Sequence, residues 1–220
     1  TVRAVLSDGN ASVERTWRVS VVRAVSNWTI LAYMNADNDL EPFLIEDLNE
    51  MESAGSTPSV NIVVQMDRHP SFDGSNGNWN DTRRFRVERD PDTSIIASRQ
   101  LEVLGEKDSG SEATFSDVLM WGLEKFPAAH VMVVMSGHGD GWTGISQDFT
   151  DGNDRLSLAS VVAALHRFGA ARGSPVEVVE FDVCYWAMME ASWGLRDDAQ
   201  YLVGSEEIDP SPGQTYNILL

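Results

Sequence analysis

Cys184 is the single cysteine among 220 residues, and it closes the triplet Asp182-Val183-Cys184 at the end of the run Val176-Glu177-Val178-Val179-Glu180-Phe181. Earlier in the chain a second apolar run, Val131-Met132-Val133-Val134-Met135, stops at Ser136-Gly137-His138-Gly139-Asp140-Gly141-Trp142. A thiolate attacks carbonyl carbon well, and an imidazole within reach can hold it ionised or take its proton. Glycines on both sides of His138 let the backbone approach a substrate and let amides point at a developing negative charge. The chemistry these types allow is covalent acyl transfer. The plainer alternatives are a small buried thiol and a turn histidine. The other histidines have simpler roles: His69 precedes Pro70 in a loop, His130 begins a strand, and His166 sits near a helix end.

Both runs read as buried strands of a parallel sheet, where reactive groups collect at the carboxyl ends. Trp28–Met34, Val60–Met66 and Tyr201–Gly204 read as further strands. Helical spacing appears in Leu40, Leu44, Leu48 and Met51, stopped by Gly55, and again in Phe115, Val118, Leu119, Gly122, Leu123 and Phe126. A third helix carries Val161, Leu165 and Phe168 and closes at Gly169. This alternation predicts an α/β fold, a mostly parallel sheet with helices on both faces. Arg83–Glu88 reads as an added edge strand, residues 69–82 as an exposed loop, and a polar loop is expected after His138. Asp37–Asp39, Asp67-Arg68, His138-Gly139, Asp182–Cys184 and Ser205-Glu206-Glu207 each follow a strand, so five polar clusters are expected on one rim.

Residues 1–26 have a different character. Val2–Leu6 and Arg15–Val21 alternate around Ser7–Asn10, which reads as a β-hairpin with Trp17, Val19 and Val21 on one face. It resembles the last two strands of an immunoglobulin-like β-sandwich; a hairpin packed on the main domain is the alternative. The expected division is therefore 1–26 and 27–220. With 16 basic against 34 acidic residues, net −18, nucleic-acid binding is not expected. No apolar run is long enough to span a bilayer. A phosphate-binding flavodoxin-like reading lacks a glycine-rich strand-to-helix loop.

The strand-plus-His-Gly and strand-plus-Asp-Val-Cys blocks resemble the signature blocks of the clostripain-like cysteine peptidases, whose fold is shared by caspases, legumain and gingipains. Asn27–Asp39, Ala113–Trp121, Phe126-Pro127-Ala128, His138–Trp142, Val203–Glu207 and Pro212-Gly213 fall in family order. The chain departs from the family at Val183, where alanine is usual, and at Tyr185-Trp186-Ala187, where Leu-Met-Gly is usual. The resemblance implies a caspase-like sheet and a Cys184–His138 dyad, with backbone N–H groups of Gly139 and Cys184 as the oxyanion hole. It implies Asp182 as the acid of a pocket for arginine or lysine; Ser205 and Glu206 are expected in the same substrate site, where Glu206 and Glu207 either add to its negative charge or face solvent. No cofactor is expected for the chemistry. Calcium is implied by the family, and Asp148–Asp154 offers oxygen ligands, with no ligand set named. Self-cleavage after Arg155, the one basic residue between His138 and His166, is also expected. So are protein or peptide substrates with basic residues, a secreted or cell-surface microbial setting, and a domain that continues past residue 220. The alternative from another class is a non-catalytic adhesion module on a peptidase-derived scaffold.

Overall fold

The computed structural model describes residues 2–7, 10–17 and 25–220. In chain order the strands are β1 (Val2–Ser7), β2 (Ser12–Trp17), β3 (Ser26–Ala36), β4 (Val60–Arg68), β5 (Thr82–Arg86) and β6 (Arg99–Gly105). They continue with β7 (Ala128–Ser136), β8 (Ile145–Asp148), β9 (Asp154–Leu156), β10 (Val176–Asp182) and β11 (Ala199–Gly204). The helices are α1 (Glu41–Ala54), α2 (Glu112–Lys125), α3 (Leu158–Arg172), α4 (Met189–Leu195) and α5 (Tyr216–Leu219).

Among the described residues, seven strands form the main sheet in the order β11-β10-β7-β3-β4-β5-β6. The five strands from β11 to β4 run parallel, so their carboxyl ends share one rim. β5 and β6 extend the sheet antiparallel. Arg83–Glu88 was expected at the sheet edge, but β6 covers it and is itself the edge. The segment Arg-Gln-Leu-Glu-Val-Leu-Gly hides this role because polar residues interrupt its apolar ones. The expected polar loop after His138 contains the β8–β9 hairpin, a separate antiparallel pair. At the amino end β1 pairs with β2, Val2 opposite Trp17, as a two-stranded sheet of its own. The face expected from Trp17, Val19 and Val21 lies outside the described residues.

Alternation along the strands splits the core in two. Val131, Val133 and Met135 of β7 join Phe115, Leu119, Phe168, Val179 and Phe181 under α2, α3 and α4. Val134 points the other way, with Leu44, Leu48, Met51, Val64, Met66 and Tyr216 under α1 and α5. On the first face a side chain at Gly122 of α2 would run into Leu31 of β3, so glycine permits this close helix–sheet approach. On the second face buried Arg68 donates to Glu41 at 2.6 Å and ties the end of β4 to the start of α1.

Candidate active site

The spacing of the reactive pair follows from strand register. Ser136 lies opposite Asp182 in the parallel β7–β10 ladder. His138 and Cys184 each stand two residues beyond that rung, and both line one cleft of about 160 Å³. The cleft is walled by β10 and its extension (Asp182, Val183), by α1 (Leu44, Asp47) and by residues Ile208 to Gly213. Half-buried Cys184 sends its thiol toward the carbonyl of Asp209, Sγ to O 3.8 Å.

His138 is held from below. Its carbonyl accepts from Ser146 N, and Asp140 N donates to Gly144 O, so β8 clamps the turn. Its Nε2 meets Asp39 Oδ1 at 2.7 Å. Asp39 sits in the short loop after β3, and that loop is pinned on both sides. Asp37 Oδ1 accepts from Phe149 N and Thr150 N, and Asn38 donates to the carbonyls of Asn35 and Gln147. With the Nε2 proton facing a carboxylate, Nδ1 is left as the basic nitrogen. Asp39 had no role in the sequence reading beyond membership of the rim.

Gly139 packs on the cysteine loop: a Cβ there would lie 2.5 Å from Cys184 O and 2.8 Å from Val183 Cβ. Among the described residues no hydrogen bond takes up the N–H of Gly139 or of Cys184. Both donors remain available to an oxyanion. The aromatics after Cys184 leave the cleft. Trp186 is fully buried against Phe181, ring centroids 4.7 Å apart, and donates to Gly144 O at 3.2 Å. Tyr185 turns the chain with φ +63° and donates its N–H to Glu207 O.

Asp182 is buried in the cleft wall. Its Oδ2 accepts from Tyr216 Oη at 2.8 Å and from Ser136 Oγ at 3.3 Å. Burial pushes its carboxyl above the ordinary aspartate value, while Tyr216 and the Gln214 N–H pull it back. Gly213, at φ +64°, passes so close that a Cβ would lie 2.9 Å from both Asp182 oxygens. Ser205 and Glu206 do not line the cleft. Ser205 instead accepts from Ala187 N through its carbonyl and from Glu207 N through its hydroxyl, which braces the cysteine loop.

The sequence reading missed Asp47 and the wall from Ile208 to Ser211. Asp47 had left a signal: it stands three residues after Leu44 and four before Met51, inside the apolar stripe of α1. Two buried acids belong to this side of the sheet besides Asp182. Burial and then repulsion from Asp182 push Glu180 up to about 7 and Asp47 up to about 9. Among the described residues no lysine or arginine lines the cleft.

Arg155 lies elsewhere. It belongs to β9, donates to Asp140 Oδ2 at 2.6 Å and to Gln147 Oε1 at 3.0 Å, and is followed by fully buried Leu156. Of the stretch Asp148–Asp154, Asp148 joins Asp37 and Glu106 in a group whose carboxylate oxygens lie within 4.8 Å of one another. Loss of hydration, then Asp37 and Asp148, pushes Glu106 up to about 7. Of the histidines set aside, His130 faces Glu177 at 3.6 Å and His166 faces Asp198 at 3.0 Å. His69 packs on Phe72.

A parallel α/β sheet with a thiol and an imidazole at neighbouring strand ends defines a caspase-like cysteine-peptidase domain. Residues 32–220 match the model of the Clostripain family, peptidase C11, and the chain belongs to that family. Clostripain of Hathewaya histolytica is 21% identical over 218 residues, covering 86% of this chain and 40% of that protein. A secreted C11 cysteine protease of Bacteroides thetaiotaomicron, solved with an irreversible peptide inhibitor, is 28% identical with a TM-score of 0.73. It matches 88% of this chain and 53% of its own. An inactive zymogen C11 protease of Parabacteroides distasonis shares the fold at 20% identity and a TM-score of 0.68, over 90% of this chain and 53% of its own. The chain thus spans about half the length of these relatives, or less. Among the described residues no helix is long and apolar enough to cross a membrane.

Proposed function

We propose that this chain carries the catalytic groups of a cysteine endopeptidase that cleaves after arginine or lysine. His138 takes the thiol proton as Cys184 Sγ bonds to the scissile carbonyl carbon, and the carbonyl oxygen takes the negative charge under the N–H groups of Gly139 and Cys184. Collapse breaks the C–N bond, His138 delivers a proton to the leaving amine, and water hydrolyses the thioester to restore the thiol. Asp39 acts as a positioning residue that fixes the tautomer and plane of His138. Asp182 pairs with the cationic side chain before the cleaved bond.

One observation carries this reading: a single cleft holds Cys184, His138 and a buried acid, and among the described residues no lysine or arginine lines it. A fluorogenic peptide panel varying the residue before the cleaved bond tests it. Arginine and lysine peptides are expected to be hydrolysed, and Cys184→Ala and His138→Ala to abolish hydrolysis with unchanged circular dichroism. Preference for neutral residues, or near-wild-type activity in either variant, refutes it.

The same reading includes self-cleavage after Arg155. Its condition is set by the hairpin, since the bond lies within β9 and the next side chain is buried, so the ladder must open first. Calcium, implied by the family resemblance, would be held by the hard oxygens of Asp37, Glu106 and Asp148, where it would neutralise the acids behind the Asp39 loop. The likeness to a secreted bacterial protease supports a secreted or cell-surface setting.

A further inference from the structure

Three acids line the substrate cleft, Asp47, Asp182 and Asp209, and the protein treats the two buried ones differently. Asp182 on β10 is satisfied by Tyr216, Ser136 and the Gln214 N–H. Asp47 on α1 is 3% exposed and, among the described residues, accepts no hydrogen bond and pairs with no cation. Its charged neighbours are Asp182, Glu50 and Glu46, all acids, and its charge adds to the burial that pushes the Tyr216 hydroxyl of α5 up. A buried carboxylate with no donor destabilises a fold, and an apolar residue in this stripe of α1 would avoid that cost. The donors that the fold withholds from Asp47 are left to what fills the cleft, solvent or substrate.

We propose that Asp47 is the second acid of the primary-specificity pocket and that, with Asp182, it selects arginine over lysine before the cleaved bond. This rests on the peptidase reading above and adds a residue and a preference to it. The two acids reach the cleft from different walls, strand and helix. A guanidinium spreads its N–H donors around a rigid plane and can serve both walls at once. An ammonium gathers three donors at one point and is satisfied by the acid it approaches first. Burial, then Asp182, pushes the Asp47 carboxyl up to about 9, so it is protonated before substrate binds and releases that proton to solvent as the guanidinium docks against it.

Three peptides identical except before the cleaved bond test the proposal: arginine, lysine, and citrulline, the uncharged analogue of arginine. Asp47→Asn is expected to lower kcat/KM on the arginine peptide about tenfold or more, on the lysine peptide about threefold or less, and on citrulline not at all. The arginine-to-lysine ratio therefore falls. An unchanged ratio, or an equal loss on all three peptides, overturns the proposal. Asp47→Ser gives the same comparison if the amide variant does not fold. A wild-type enzyme that cleaves neither basic peptide better than citrulline overturns the underlying peptidase specificity. One that prefers the basic peptides while Asp47→Asn keeps the ratio overturns the role of Asp47 alone.

Discussion

Replacing Glu180 with glutamine should stabilise the protein in base and not in acid. Glu180 points from β10 to the face of the sheet that carries Asp182, is 1% exposed, and leaves both carboxylate oxygens without a partner. Burial, then Asp182 and Asp209, pushes it from 4.5 to about 7. Below pH 4.5 the folded and unfolded chains are both protonated there, and the residue contributes no pH-dependent term. Between 4.5 and 7 the unfolded chain ionises first, so stability falls as pH rises. Above 7 the folded form is ionised too and the loss is complete. At about 1.4 kcal/mol per pH unit the window amounts to roughly 3 kcal/mol. For a domain of this size that corresponds to roughly 6–12 °C in Tm. Glutamine leaves an unpaired amide in the same place, but that cost does not depend on pH. The quantity to read is therefore the Tm gap between Glu180→Gln and wild type at pH 8 minus the same gap at pH 4.5, followed by circular dichroism. A positive difference of several degrees is expected. A gap that is equal at the two pH values, or more unfavourable to the variant at pH 8, refutes the argument that an unpaired charge is buried here.

Two further outcomes follow from the geometry around His138. Asp39→Asn should lower kcat by about tenfold or more with little change in KM, and should shift the acid limb of the pH–rate profile; a profile superimposable on wild type would show that the 2.7 Å contact positions nothing. On incubation, wild type should be cut after Arg155 and Cys184→Ala should stay whole by intact mass, with cutting faster under mild denaturant that opens β8–β9; a cut elsewhere, or equal cutting of Cys184→Ala, removes Arg155 as the self-cleavage site.

The central strands were legible because parallel strands buried on both faces read as unbroken apolar runs, and a polar cluster after each run marks the rim. That pattern put His138, Cys184 and Asp182 on one rim, and the structure lines one cleft with them. The antiparallel additions were not legible in the same way. Arg99–Gly105 mixes charged and apolar residues because one flank of an edge strand meets water, and β8–β9 is a short ladder in a polar segment. Asp39 could not be paired with His138 from spacing, since 99 residues separate them and only the β3–β7 ladder brings their loops together. Ser205 and Glu206 looked like substrate contacts because they end a strand on the correct rim. The end of β11 instead sets the Ser205 carbonyl against Ala187 N, as a brace on the cysteine loop.

The Ser136–Asp182 rung has a consequence for how the polypeptide can be divided. Nucleophile and base are spaced by cross-strand hydrogen bonding, and the intervening segment from Asp140 to Ser174 runs outside that ladder. Covalent continuity between β7 and β10 is therefore not what holds the two reactive groups in register. The molecule is in this sense bipartite: a cut between Asp140 and Ser174 severs no hydrogen bond of the β7–β10 ladder.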